Sequence, residues 1–390
     1  MKCSDEQYVS NLIEINKRAG VDPEVIDLIA AYGRLCLQQG KEPKFYEEKT
    51  FFKTNKPTVK ALIEKNPQLD KRSLSFLVSY AEMMRDSRLP FIFNRSHLAE
   101  LLEIQEDKLK QLIAVKGKFY HSFFIPKSNG KRLITAPAED LKTIQKKILR
   151  EILERVPLHP AANGFKRHRS IVTNAGNHIG REIIVKIDLK DFFPSITEHR
   201  VKAIYLNLGY PDGVAEALAE LSSYKGRLPM GGPTSPYLSN IAATRLDRRF
   251  TNLGKKLDFQ YSRYADDLAF SSADKGLARH MPFFKKIIEE EGFEVNEEKV
   301  VIARKGGQQK ITGVVVNKKV NVERKEYRRL RAVVNNCIKG DLEKEMRKWG
   351  ANNLQHFENT LLGHIRFVKM VNSHKGEKLL ADFKRIQWPV

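Results

Sequence analysis

Phe259-Gln260-Tyr261-Ser262-Arg263-Tyr264-Ala265-Asp266-Asp267-Leu268-Ala269-Phe270 sets two apolar arms around a polar centre, and its reading decides the fold. The pattern predicts two strands joined by a tight turn, with adjacent carboxylates at the tip. Neighbouring carboxylates repel, so such a turn either raises one pKa or recruits a cation. Upstream, residues 182–189 read as a buried strand that ends in carboxylates, followed by Lys190-Asp191-Phe192-Phe193-Pro194. Asp188 alone serves equally well as a strand-end cap or turn residue, because burying it requires a compensating cation. Beside a second acidic site on a neighbouring strand, it completes a cradle for two Mg²⁺ ions roughly 4 Å apart. Hard oxygen donors suit Mg²⁺ and argue against a soft metal.

The charge balance of the 390 residues points the same way. Lys and Arg number 69 against 47 acids, a net of +22. That excess attracts polyanions through counterion release, with nucleic acid the first expectation and an anionic membrane surface the second. Residues 1–90 hold 15 Lys/Arg and 13 Asp/Glu, so the excess falls almost wholly after residue 90. No apolar run of about eighteen residues is present, which excludes a spanning helix. The opening residues lack the apolar core of a signal peptide. Cys3, Cys36 and Cys337 are odd in number and far apart, which fits a reducing cytoplasm better than a disulfide or zinc framework.

Periodicity predicts helices over residues 23–37 and 74–84, with a Lys/Pro/Thr-rich linker at 41–60. A helical pair follows over 97–104 and 109–113, and Ser128-Asn129-Gly130 signals a hairpin between two strand-like runs. Further helices are expected over 141–156, 238–250 and 281–291, and a single strand over 310–316. Residues 318–390 look helical and carry 17 Lys/Arg against 8 acids.

Taken in order, these segments resemble the reverse transcriptase family. Asp188 stands in what looks like polymerase motif A, and Asp266 with Asp267 in motif C. Leu228-Pro229-Met230-Gly231-Gly232-Pro233-Thr234-Ser235-Pro236 resembles motif B, with Met230 where the family commonly has Gln. The resemblance implies catalysis and metal binding by Asp188, Asp266 and Asp267, with the Leu189 backbone carbonyl as a further metal ligand. It implies two Mg²⁺ ions, with Mn²⁺ as a substitute. It also places Asp191, Met230, Gly231 and the aromatic gate Phe193 at the incoming nucleotide, the last excluding a ribose 2′-OH. Lys127 and Arg132 on the basic hairpin would bind the triphosphate, with Lys131 a lesser candidate, and Lys299 would protonate the leaving pyrophosphate. The fold implied is α+β, a right-hand polymerase. Residues 1–90 would form an N-terminal helical extension, 91–182 the fingers, 183–317 the palm with part of the fingers at 198–228, and 318–390 a helical thumb.

Two short patterns point to the retron branch. Asn174-Ala175-Gly176-Asn177-His178 fits an Asn-Ala-x-x-His pattern, and Ile311-Thr312-Gly313 resembles a Val-Thr-Gly segment. The resemblance implies that Asn174, Ala175, His178, Thr312 and Gly313 bind RNA. Arg324, Arg328, Arg329 and Arg331 would face the duplex backbone. The implied task is to extend a structured non-coding RNA from an internal 2′-hydroxyl, giving a branched RNA–DNA hybrid (msDNA) within an antiphage system. The expected partners are that RNA, its cDNA product, dNTPs, a separate effector protein and a host RNase H, with no membrane. A group II intron-like or another defence-associated enzyme with a different priming scheme is the alternative. A catalytically silent RNA-binding protein is disfavoured by the intact aspartates.

Overall fold

The computed structural model describes residues 20–39, 71–127 and 130–389, together with residues 10, 13, 14, 17 and 18. The expected linker at 41–60, the turn residues Ser128 and Asn129 and the side chain of Lys127 lie outside the described residues. The chain divides into two compact units. One comprises Met1–Leu158 and Asp191–Ala243, and the other His159–Lys190 and Thr244–Val390.

In the first unit, helices Pro23–Gln39 and Lys71–Asp86 precede Arg95–Leu102 and Glu106–Ala114. Asn94 starts the third of these, its side chain accepting from the amide of His97. Strands β1 (Tyr120–Lys127) and β2 (Gly130–Pro137) form the expected antiparallel hairpin, in register from Tyr120 opposite Pro137 to Lys127 opposite Gly130. Helix Glu139–Glu151 follows and buries Leu141, Ile144 and Ile148, one face at helical spacing. Helices Glu198–Asn207, Asp212–Ser222 and Ser235–Ala242 complete the unit. The loop before the last of these docks on β2. The amide of Gly231 donates to the Thr135 carbonyl at 3.0 Å. A Cβ on Gly231 would stand 2.7 Å from that oxygen, so the glycine answers a close backbone approach.

The second unit is built on a four-stranded antiparallel sheet of order β4-β5-β3-β6. Its strands are β3 (Ile183–Asp188), β4 (Gln260–Tyr264), β5 (Asp267–Ser272) and β6 (Val301–Arg304). β3 lies inside the sheet and buries Ile183, Ile184, Val185 and Ile187, which explains its nearly continuous apolar sequence. Helices Thr244–Leu257 and Met281–Glu290 contribute Phe250 and Phe284 to an aromatic core on Phe270. Phe250 meets Phe270 edge-on at 4.8 Å, and Phe284 stacks on it at 4.5 Å. A second core gathers Leu330, Phe357, Leu361 and Ile365 from the C-terminal helices with Ile311, Val314 and Val316. Those helices are Arg324–Ile338, Leu342–Trp349, Leu354–Val371 and Ser373–Phe383.

Two expectations are corrected. The single helix over 238–250 is two helices, Ser235–Ala242 and Thr244–Leu257, which meet at Ala243. The apolar period continues through the junction, so sequence alone carries no stop signal there. The strand over 310–316 is a small hairpin of β7 (Lys310–Ile311) and β8 (Val314–Val315). Its turn residues Thr312 and Gly313 take φ of +46° and +82°, so the glycine is the breaker.

Because Phe270 is fully buried among four aromatic rings, Phe270→Ala should destabilise the protein by about 3–5 kcal/mol. Denaturant unfolding of the variant, with the midpoint shift as the readout, checks this.

Candidate active site

Antiparallel pairing of β3 with β5 sets Asp188 directly opposite Asp267. Tyr264 pairs with Asp267 across β4 and β5, leaving Ala265-Asp266 as a two-residue hairpin loop. Ala265, the first loop residue, has φ +56°, as the tight hairpin turns require. The Leu189 amide donates to the Asp266 carbonyl at 3.0 Å, tying the end of β3 to that loop. Asp188, Asp266 and Asp267 thus lie near one another at one end of the sheet.

The electrostatics of this cluster follow from its crowding. Asp267 opens to solvent on one side, but loss of hydration pushes its pKa up to about 6. The charges of Asp266 and Asp188 add to the rise. Asp188 is buried and well supported. Its Oδ1 accepts from Lys299 Nζ at 2.7 Å and Asn296 Nδ2 at 3.1 Å, and its carbonyl accepts from the Asn296 amide. Asn296 was missed by sequence reasoning, because nothing in a lone Asn signals a partner 108 residues away.

Hard oxygen donors and a carboxylate whose charge its neighbours oppose fit a divalent cation. The three are not drawn into a finished cage. Among the described residues, no group of three or more metal-ligating side chains is gathered closely enough to hold an ion as it stands.

A cavity of about 220 Å³ opens beside the carboxylates. Its lining includes Asp188, Asp267 and Lys299 together with Asn174, Thr312 and Gly313. The rest of the expected RNA-binding motif needs correction. Asn174, Ala175 and His178 are almost wholly buried, with His178 fully enclosed, so the last two offer nothing for RNA to touch. Ser262 donates its hydroxyl to Asn174 Oδ1 at 2.7 Å, so the proton on the His178–Ser262 contact comes from Nε2. His178 Nδ1 then accepts from the Ser271 hydroxyl at 2.7 Å. Burial lowers the His178 pKa to about 3, which keeps the ring neutral and this pattern intact. The motif braces the underside of the sheet.

The remaining candidates are placed as follows. Lys131 and Arg132 are exposed on β2, and Arg132 stands opposite Ile125. Asp191 is exposed with φ +45°, and its carbonyl accepts from the Ser195 amide. Phe193 is half-buried and meets Phe192, the truly buried ring of the pair, edge-on at 5.7 Å. Met230 and Gly231 are half-buried in the loop on β2. Arg324, Arg328, Arg329 and Arg331 are all exposed on one helix, with Arg329 lying 4.4 Å over the Trp349 ring.

Comparison with known proteins agrees with this geometry. A sequence profile described as "Reverse transcriptase (RNA-dependent DNA polymerase)" matches residues 125–328, just over half of the chain. The "Retron Ec86 reverse transcriptase" of Escherichia coli is 33% identical over 78% of this chain and 92% of its own length. The chain belongs to the retron-type reverse transcriptases. The "Retron Mx65 reverse transcriptase" of Myxococcus xanthus is 39% identical over 67% of this chain, which spans 64% of that relative. The "Retron Mx162 reverse transcriptase" of the same organism is 36% identical over 78% of this chain and 70% of its own length. Family membership makes the fold class the α+β right-hand polymerase and the enzyme class RNA-directed DNA polymerase. Likeness to solved structures is distant: telomerase from Candida tropicalis aligns at a TM-score of 0.42 and 11% identity, over 99% of this chain and 81% of its own.

The raised pKa of Asp267 carries a stability consequence in metal-free buffer. Its folded pKa of about 6 exceeds the model-peptide 3.8, so ionisation opposes folding. That cost is absent below the lower value, grows between the two, and is complete above about 6. Asp267→Asn should therefore raise the melting temperature by a few degrees at pH 8 and leave it unchanged near pH 3.5. Thermal melts in chelator at both pH values check this.

Proposed function

We propose that this reverse transcriptase copies a cognate structured non-coding RNA into DNA from a 2′-hydroxyl primer, yielding a branched RNA–DNA hybrid within an antiphage system. The observation that carries the polymerase chemistry is the registration of Asp188 opposite Asp267, with Asp266 beside them at the hairpin tip. Asp188, Asp266 and Asp267, with the Leu189 carbonyl, would hold two Mg²⁺ ions. These supply a lowered pKa at the attacking hydroxyl and stabilisation of the leaving pyrophosphate. Asp188 arrives held by Lys299 and Asn296, so its carboxylate is already oriented at the end of β3. Lys299, with its ammonium in this cluster, would give the pyrophosphate its proton.

Nucleotide binding we assign to Lys127, Arg132, Asp191, Phe193, Met230 and Gly231, with Phe193 selecting dNTPs. Exposure of Arg324, Arg328, Arg329 and Arg331 supports a role for their helix along a phosphate backbone. RNA contact we assign to Thr312 and Gly313, with Asn174 behind them, a reading supported by the cavity that all three line beside Asp188. We further assign residues 1–90 to an N-terminal extension, 91–182 with 198–228 to fingers, the rest of 183–317 to palm and 318–390 to thumb. The enzyme would work in the cytoplasm with a separate effector and a host RNase H. No helix of the described residues is long and apolar enough to cross a membrane.

Joint substitution Asp266→Asn and Asp267→Asn should abolish extension of a primed RNA with dNTPs and Mg²⁺ while template RNA still binds. Unfolding of that variant would instead make the pair structural. Sequencing nucleic acid co-purified with the unmodified protein should show DNA joined to RNA by a 2′–5′ branch. Linear DNA alone would remove the retron priming scheme and leave the polymerase.

A further inference from the structure

Arg263 lies on β4, one residue short of the strand end at the Ala265-Asp266 loop, and both it and Asp247 of helix Thr244–Leu257 are wholly buried. The two pair through one edge of the guanidinium. Nε donates to Asp247 Oδ1 at 2.8 Å, and Nη2 donates to Oδ2 at 2.6 Å. The Tyr261 hydroxyl donates to the same Oδ1 at 2.8 Å. An ion pair so deeply buried gives a fold little that apolar residues of equal volume would not. What it supplies here is a third donor: Arg263 Nη1 reaches the Ala265 carbonyl at 3.1 Å. Ala265 is the loop residue with φ +56°, a conformation an L-residue rarely adopts without support.

The same loop is held from a second side. Residues 161–164 run beside β4, with Ala162 bridged in parallel to Arg263. The Arg263 amide donates to the Ala161 carbonyl at 2.9 Å, and the Asn163 amide donates to the Arg263 carbonyl at 2.8 Å. Gly164 then lies so close that a Cβ there would stand 2.7 Å from the Ala265 nitrogen. The Ala265 carbonyl is thus held by Arg263, and the Gly164 backbone packs closely against the Ala265 nitrogen.

We propose that Arg263, oriented by Asp247, is a positioning residue that holds Ala265 left-handed and so aims the carboxylates of Asp266 and Asp267. Arg263 touches no reacting atom; it acts through the backbone of the turn. The inference rests on the polymerase reading only for its effect on DNA synthesis, because the aim of the carboxylates is also readable as cation affinity. Lysine cannot replace the planar fork, so Arg263→Lys keeps the charge opposite Asp247 but loses the bond to Ala265. The pair Arg263→Met with Asp247→Leu removes both buried charges at similar volume and guards against an unfolded single variant.

The test titrates Mn²⁺ into each protein, followed by electron paramagnetic resonance, alongside thermal melting, template RNA binding and the Mg²⁺ dependence of primer extension. Both variants should melt near the unmodified protein and bind RNA equally well. Their Mn²⁺ affinity and turnover should each fall roughly tenfold or more; for turnover, about 1 Å of misplacement of an acting group can cost on the order of 100-fold. A folded double variant with unchanged Mn²⁺ affinity and turnover would overturn the inference. So would failure of both variants to fold, which would make the pair structural. Loss of Mn²⁺ affinity supports the inference whether or not the unmodified protein makes DNA, so a silent extension assay counts against the proposed function alone.

Discussion

Two carboxylates face each other across the β3–β5 ladder, and the second unit is organised around tolerating them. Like charges in direct register weaken a sheet. A slip of one residue would separate Asp188 from Asp267, but it would also turn every side chain of β3 to the other face. The slip would turn Lys186 to the face that Ile183, Val185 and Ile187 now bury, so it has no favourable destination. The aromatic stack on Phe270 fixes the neighbouring strand in the same way. Apolar packing thus enforces a pairing that electrostatics alone would undo.

Compensation for the charge is divided unevenly. Asp188 receives an ammonium and an amide within hydrogen-bonding distance. Asp267, at the rim, keeps an elevated pKa. A site that satisfied all three carboxylates internally would have little left for a cation to do. The strain that remains is concentrated where an ion would relieve it.

Much of this was legible in the sequence because it is local. The apolar arms on either side of Asp266 and Asp267 announce a hairpin, and the apolar run before Asp188 announces a buried strand. Gly231 was legible as a motif position expected at the incoming nucleotide, whereas the neighbour it shows within this chain is Thr135 on β2. What was not legible depends on contacts far apart in the chain. The break at Ala243 has no local signal, and the Asn296 and Arg263 partnerships join segments whose pairing no spacing encodes. The Asn174 to His178 pattern pointed to the right branch of the family, but the burial of its residues was not legible. Polar residues in a short motif suggest a surface, but here Ser262 and Ser271 in the interior take both ring nitrogens of His178.

That interior histidine gives the sheet two different responses to acidity. With a pKa near 3, His178 stays neutral at any pH a living cell presents, and its hydrogen bonds do not change direction. Acid is felt there only as a penalty on the fold, since unfolding lets the imidazole take a proton that the folded state refuses. Asp267, on the rim, is placed to follow its surroundings within the ordinary range. The metal-free sheet therefore separates a protonation-deaf interior from an edge whose carboxylate follows its surroundings.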